Sequence, residues 1–193
     1  YGSYTSGLFT ATEGQRCYMV IGSTGGASYQ TPPTVDGQPL FETGMATPPQ
    51  VNPAAPKVIS QGPSLCIFQK ENPQEVVASW LFVKFLTTNV AFQAEFGMAS
   101  GYVPVIKSVS ENPIYADFIA NADGGKNIAA LSAKVCLEQE HAYYTSPAFN
   151  GSSEARDQVG DLLCACLTTE GDDDAVIAEA FEVAVEECEY SIW

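Results

Sequence analysis

The chain has 193 residues, of which 46% are hydrophobic and only 16% charged, and its net charge at pH 7 is −15. This length and apolar content suffice for one domain with a core, or for part of a two-lobed protein. The acidity is typical of a solubilising surface and excludes both a phosphate-neutralising nucleic-acid surface and docking on an anionic membrane. No apolar run approaches the roughly 20 residues of a membrane span. Because the sequence starts at Tyr1 rather than Met, we expect a processed or truncated start, with any export signal removed.

The first third of the chain predicts short strands separated by turns. Apolar runs over residues 16–21, 41–47 and 63–69 are bounded by glycines, prolines and small polar residues, which is typical of buried strands. Proline-rich stretches over 31–40 and 48–56 predict irregular connections.

Asparagine–proline pairs mark two helix starts. Asn72 and Asn112 provide side chains that cap a helix, and the proline after each suits the first turn. The helix after Asn72 carries apolar residues three and four apart and predicts strong burial, with Trp80 in the core. A helix over 89–98 is predicted to face inward with Phe92 and Phe96. Further helices are predicted over 112–120, 127–139, 151–167 and 175–188. The last of these follows a break with an acidic helix start at Gly171, Asp172, Asp173 and Asp174. Strands come early and helices late, so the fold class is α/β with a helix-rich C-terminus.

The reactive residue types form no catalytic or metal-binding pattern. The six cysteines make no Cys-x-x-Cys pair, and the lone histidine, His141, has no metal-ligand partner at useful spacing. Most cysteines are therefore expected to be small buried hydrophobes, although a disulfide stays possible in an extracellular protein. No pairing of a nucleophile with a base can be argued. We expect no enzyme activity, no metal and no cofactor.

Polar loops follow the apolar segments instead. Three of them are rich in Gly, Ser and Thr, and they span Gly22–Gly26, Ser60–Ser64 and Ser100–Pro104. Such loops present hydroxyls and backbone N–H groups at close range. They bind small polar molecules, so the pattern indicates a solute receptor rather than an enzyme.

Four segments in order carry a family resemblance: CYMVIGSTGG, FETGMATPP, KVISQGPSLCIFQKENPQEVVASWLFVKFLTT and FQAEFGMASGYVPVIKSV. Together they resemble the extracellular solute-binding proteins of ABC importers, in the branch that includes maltodextrin-binding and glycerol-3-phosphate-binding proteins. The resemblance runs from about Phe9 to about Leu167. It implies a periplasmic-binding-protein-like (type II) two-lobed fold, of which this chain is the C-terminal part. Residues 1–60 and 108–193 would belong to the C-terminal lobe, and residues 61–107 would be a crossover segment of the N-terminal lobe.

The resemblance also implies a function. The chain would be the extracellular substrate-binding component of an ABC transporter, and its two lobes would close by a hinge over a sugar or polyol phosphate. The implied partners are this small-molecule solute and the ABC permease subunits, with a monomeric protein held outside the cell as a lipoprotein or in the periplasm. The alternative is a non-catalytic interaction or structural domain without a small-molecule site.

Four implied ligand-binding residues lie on the polar loops. Ser23 and Thr24 match a loop that faces the ligand in the family, or they serve as a helix cap. Gly62 matches a crossover position where the backbone touches ligand, or it is a turn glycine. Tyr102 matches a tyrosine in a Gly-Tyr-x-Pro turn, and the hydroxyl of that tyrosine contacts ligand in the family. Alternatively, Tyr102 is half-buried and packs against the hinge.

Arg156 is the fifth implied ligand-binding residue, at the position of a ligand-binding arginine in the glycerol-3-phosphate-binding branch. A cation near a helix N-terminus is unfavourable for the helix, so either a ligand or a carboxylate of Glu154 or Asp157 accounts for it. Ser152 and Ser153 stand where the maltodextrin branch has a stacking aromatic residue. The side chains of Tyr143, Tyr144 and Phe149 would provide either a stacking face or core packing. We expect Arg156, Tyr102 and Ser23 to meet in one cleft.

Overall fold

The computed structural model describes residues 4–169 and 174–190, which form two compact units, one of residues 4–144 and one of the residues from Thr145 onward. Gly171, Asp172 and Asp173, where a helix break is predicted, lie outside the described residues.

The first unit contains five α-helices in its described part, joined by 3₁₀ helices and very short strands. The α-helices are α1 (Ser6–Phe9), α2 (Pro73–Thr88), α3 (Val90–Ser100), α4 (Pro113–Ala120) and α5 (Ile128–Glu138). The 3₁₀ helices are Thr24–Gln30, Lys107–Val109 and Glu140–Ala142, and the strands are β1 (Thr34–Val35), β2 (Gln38–Pro39), β3 (Val58–Ile59) and β4 (Tyr143–Tyr144). The second unit is a pair of packed helices, α6 (Ser152–Thr168) and α7 (Asp174–Tyr190).

Asparagine side chains begin the helices as the sequence predicts. The Oδ1 atom of Asn72 accepts from the N–H of Gln74 at 3.0 Å, and that of Asn112 accepts from the N–H of Ile114 at 3.0 Å. Each bond satisfies one of the first-turn N–H groups that have no partner within the helix. The helix starts predicted at Asn72 and Asn112 are therefore confirmed.

Two pairs of two-residue strands make up the sheet structure of the described chain. β1 and β2 are antiparallel around Asp36 and Gly37, whose φ angles of 51° and 77° match the turn that a tight hairpin favours. β3 and β4 are parallel, and the N–H of Ser60 extends the pairing to the carbonyl of Tyr144 at 2.8 Å. This helix-rich arrangement is compatible with the predicted α/β class.

The strands predicted over 16–21, 41–47 and 63–69 are wrong, because none of these segments is a strand in the structure. An apolar run becomes a strand only where a neighbouring backbone supplies a ladder of hydrogen bonds. Residues 63–69 are exposed, and Thr43 is held by separate bonds: its N–H donates to the carbonyl of Gly124 at 2.7 Å and its Oγ1 donates to that of Gln30 at 3.1 Å.

The predicted burial of α2 is also wrong. No residue of α2 is buried, and Trp80, expected in the core, is 50% exposed with the Lys84 ammonium 5.1 Å from its ring centroid. Phe96 of α3, predicted to face inward, is likewise 50% exposed and stacks on the half-buried Phe92. Periodicity shows which residues prefer burial, but a second surface must be present to cover them.

The core of the first unit lies between α3 and α4. Its fully packed residues are Ala94, Val109 and Tyr115. A second buried face, on α5, packs against the 3₁₀ helix Thr24–Gln30, whose Ala27 is buried. These contacts fix the start of that 3₁₀ helix, which carries two of the predicted ligand-binding residues.

In the described chain, no single helix is both long and apolar enough to cross a membrane; α2 and α3 meet that criterion only as a pair, bent by 69°.

Candidate functional site

Two of the predicted polar loops are in direct contact. The φ angle of Gly101 is 77°, and a Cβ there would lie 2.8 Å from the carbonyl oxygen of Thr24. A Cβ on Gly25 would lie 2.6 Å from Cζ of Tyr102. A Cβ this close to the Thr24 backbone requires glycine at position 101, whereas at position 25 it would displace the Tyr102 ring. The start of the 3₁₀ helix therefore packs against the turn that follows α3.

The turn after α3 is held from within by Gln93, which is only 8% exposed. Its Oε1 accepts from the N–H of Val105 at 3.1 Å, and its Nε2 donates to the carbonyl of Leu86 near the end of α2. Pro104 packs on Gly97, whose Cβ would lie 3.2 Å from its Cγ. These contacts connect the turn to both helices, so its backbone is fixed.

The exposed side chains at this junction are polar. Ser23 is the N-cap residue of the 3₁₀ helix, but its hydroxyl forms no capping hydrogen bond and the residue is exposed. Tyr102 is 41% exposed, with one side of its ring against Gly25. The junction thus offers a serine hydroxyl and a phenol to solvent, and both can donate and accept hydrogen bonds.

Gly62 lies apart from these contacts in the structure. It belongs to an exposed segment, and a Cβ on it would meet no atom within 4 Å. Its φ angle is not positive, so the turn does not require glycine here. Its ligand-binding role stays a prediction.

Arg156 belongs to the second unit, near the start of α6. It lines an open hollow of about 300 Å³ with Ser146, Phe149, Ser152, Ala155 and Val159. Among the described residues Arg156 forms no ion pair, and Glu154 instead accepts a hydrogen bond from Gln158 Nε2 at 3.2 Å. In the structure, Glu154 therefore does not form an ion pair with Arg156.

The aromatic residues considered for stacking differ in their surroundings. Phe149 is exposed beside Arg156, and Tyr144 is also exposed. Tyr143 instead donates its hydroxyl to the carbonyl of Cys136 at 2.9 Å, and burial, with the nearby Cys136 thiol, raises the pKa of Tyr143 to about 12. Tyr143 thus packs within the first unit, while Phe149 remains available as a stacking face.

A larger open hollow of about 420 Å³ lies beside α2. Its lining is almost entirely apolar and consists of Ile67, Phe68, Gln69, Val76, Val77 and Trp80. A polar solute needs several hydrogen-bonding groups, and in this lining only the Gln69 amide and the Trp80 indole N–H could provide them. The hollow is part of the uncovered face of α2 and not a candidate solute site.

The cysteines are free thiols, and Cys136 is the one that is buried. The expectation that most of the six are buried hydrophobes is therefore wrong, since Cys66 is exposed and the rest are half-buried. Within the described residues, no group of three His, Cys, Asp or Glu side chains could hold a metal ion.

Sequence reasoning missed two residues of the junction, Gly25 and Gln93. Gly25 was part of a polar loop, but its packing partner Tyr102 is distant in sequence. Gln93 stands between Phe92 and Ala94 in an apolar helix, and this isolated amide was the available signal for a buried hydrogen-bonding role.

Comparison with known proteins gives one family. The model of the bacterial extracellular solute-binding proteins matches residues 9–123, more than half of the chain. Ser23, Thr24, Gly62 and Tyr102 fall within the match, whereas Arg156 lies beyond it. No curated protein and no solved structure matches the chain.

Family membership implies a small-molecule ligand and, as partners, the subunits of an ABC permease. It places the protein outside the cytoplasm, in the extracellular or periplasmic space, and is compatible with the expectation that the protein is not an enzyme. The contact between two solvent-facing polar loops and the match over residues 9–123 lead to one conclusion: the chain belongs to the bacterial extracellular solute-binding proteins and has a solute-binding role in ABC import.

Proposed function

We propose that the solute is a carbohydrate or a polyol phosphate, bound at the junction of Thr24–Gly25 with Gly101–Tyr102. The observation that supports this most directly is the contact of these two loops, with Ser23 and Tyr102 exposed beside it. Hydroxyl groups and backbone N–H groups suit ligands that carry several hydroxyls, because each group matches one donor or acceptor.

Arg156 would bind the anionic part of a polyol phosphate. Its guanidinium forms no ion pair in the described chain and lines a hollow with two serines and Phe149. A guanidinium can bind a phosphate through two parallel hydrogen bonds, and Phe149 offers an aromatic face for a sugar ring. The predicted meeting of Arg156, Tyr102 and Ser23 in one cleft stays a prediction, and so does a backbone contact from Gly62.

The proposed mechanism is closure of two lobes over the solute, with no covalent chemistry. Residues 61–107 would belong to the N-terminal lobe and the flanking segments to the C-terminal lobe. In that arrangement the rest of the N-terminal lobe would cover the exposed face of α2. The protein would act as a monomer, in the periplasm or anchored as a lipoprotein.

Calorimetry on the native-length protein, meaning this chain together with any residues that precede or follow it naturally, tests this proposal. We expect binding of glycerol 3-phosphate or of a maltodextrin, and Arg156→Ala should weaken phosphate binding by about 30-fold or more, corresponding to the 2 kcal/mol or more expected for a lost charge-assisted contact. Arg16→Ala is the matched control, since Arg16 is the other arginine and stacks on Tyr18 and Phe41 in the first unit. Unchanged affinity in both Arg156→Ala and Tyr102→Phe would show that the site is elsewhere.

The exposed apolar face of α2 favours a second candidate, an interaction domain without a small-molecule site. Val77 and Leu81, one turn apart on the same side of α2, are each more than half exposed. This function predicts that no sugar or glycerophosphate raises the Tm of the native-length protein, whereas solute binding predicts a concentration-dependent rise.

A further inference from the structure

The hydroxyl end of Tyr102 rests on Gly25. A Cβ added to Gly25 would lie 2.6 Å from Cζ, 2.7 Å from Cε2 and 2.9 Å from the hydroxyl oxygen of Tyr102. Real Cβ atoms do not approach other heavy atoms this closely. The phenol thus occupies the space that a side chain at position 25 would need.

Both sides of this contact are fixed by other parts of the first unit. The backbone before Tyr102 packs on the carbonyl of Thr24 through Gly101, and the backbone after it is bonded to Gln93 through Val105. On the other side, the N–H of Gly26 donates to the carbonyl of Ser23 at 3.0 Å, and Ala27 is buried. A side chain at position 25 could therefore be accommodated mainly by rotating the phenol away.

We propose that Gly25 is a positioning and specificity-determining residue of the solute site. By leaving room for the ring, it holds the Tyr102 hydroxyl at one place on the loop that carries the exposed Ser23. A hydroxyl held in place recognises a ligand oxygen at lower entropic cost than one that must first be ordered. The ligand part of this inference rests on the proposed function, whereas the packing part does not.

The neighbouring glycine provides a matched control. A Cβ on Gly26 would meet nothing within 4 Å, and the φ angle of Gly26 is not positive. The same substitution one residue later is therefore free of the clash with Tyr102, and it changes the composition of the loop identically.

The first experiment measures Tm in the native-length protein and needs no ligand. Gly25→Ala should lower Tm by about 2 °C or more, because the Tyr102 ring must give up its contact with the loop. In a Tyr102→Ala background, which removes the ring, the same substitution should have less than half that effect. Gly26→Ala should leave Tm unchanged in both backgrounds. Equal shifts for Gly25→Ala with and without the Tyr102 ring would overturn the packing part.

The second experiment measures binding of glycerol 3-phosphate and maltotriose by calorimetry. For whichever probe the wild type binds, Gly25→Ala and Tyr102→Phe should each weaken binding about tenfold or more. The double variant should be no weaker than the weaker single variant, because both changes act on one hydroxyl. Wild-type affinity in Gly25→Ala would overturn the specificity role. A wild type that binds neither probe would refute the proposed ligand class and the specificity role with it, while the Tm cycle would still decide the packing part.

Discussion

Substituting Gln93 by Met tests whether one buried amide fixes the turn that carries Tyr102. Methionine nearly conserves side-chain volume and helix propensity, so the change removes chiefly the two hydrogen bonds to the Val105 N–H and the Leu86 carbonyl. Gln50→Met is the matched control. Gln50 also forms two such bonds, donating to the carbonyl of Pro48 at 3.1 Å and accepting from the N–H of Lys57 at 2.8 Å, but in a partly exposed loop.

The expected cost of Gln93→Met is about 2–3 kcal/mol of unfolding free energy. Each of the two hydrogen bonds contributes about 0.5–1.5 kcal/mol net, and bonds of a buried amide such as that of Gln93 lie in the upper half of this range. Gln50 is only half-buried, and the bond that it accepts from Lys57 is exposed, so Gln50→Met should cost less than about 1 kcal/mol.

Urea denaturation measures both variants, and hydrogen exchange at the Val105 amide reports the local effect. Gln93→Met should speed exchange at Val105, and Gln50→Met should not. Equal stability losses in the two variants, or a loss below about 0.5 kcal/mol for Gln93→Met, would refute the idea that this amide fixes the turn.

Three further outcomes are expected. Below pH 10 the Tyr143 hydroxyl is neutral in both the folded and the unfolded chain. Between pH 10 and about 12 it ionises only in the unfolded chain, so the free energy of unfolding falls as pH rises through this range. Tyr143→Phe should reduce that fall in alkaline unfolding curves. In a Trp193→Phe variant of the 193-residue chain, iodide should quench the fluorescence of the half-exposed Trp80 readily, and weak quenching would mean that α2 is covered within this chain. A thiol reagent should modify the exposed Cys66 first and Cys136 last, since Cys136 is buried and burial raises its pKa; the reverse order would contradict this packing.

Local sequence signals predicted the helices well. The cap of a helix depends on neighbouring residues, so Asn72 and Asn112 could be read as helix starts without knowledge of the rest of the fold. Strands and burial depend on partners that are distant in sequence. The segment 63–69 is apolar enough for a buried strand and α2 for a buried helix, but the structure gives neither a covering surface.

The candidate site was predictable to a similar extent. Composition identified the polar loops that contain Thr24 and Tyr102, because glycine, serine and threonine cluster in them. It could not show that Gly25 accommodates the Tyr102 ring, since this is a steric relation between two loops that only the folded backbone brings together.

Asparagine caps have a consequence for the environment in which this protein works. Four successive helices, α2 to α5, begin at Asn72, Asn89, Asn112 and Asn127, and each side chain accepts a backbone N–H of the first turn. Aspartate caps comparably well but is protonated in acid, and it would add four negative charges to a chain that already carries −15. An amide cap stays the same in acidic and saline surroundings. The helix starts around the Tyr102 turn are thus protected from changes in pH and ionic strength that a protein outside the cytoplasm cannot avoid.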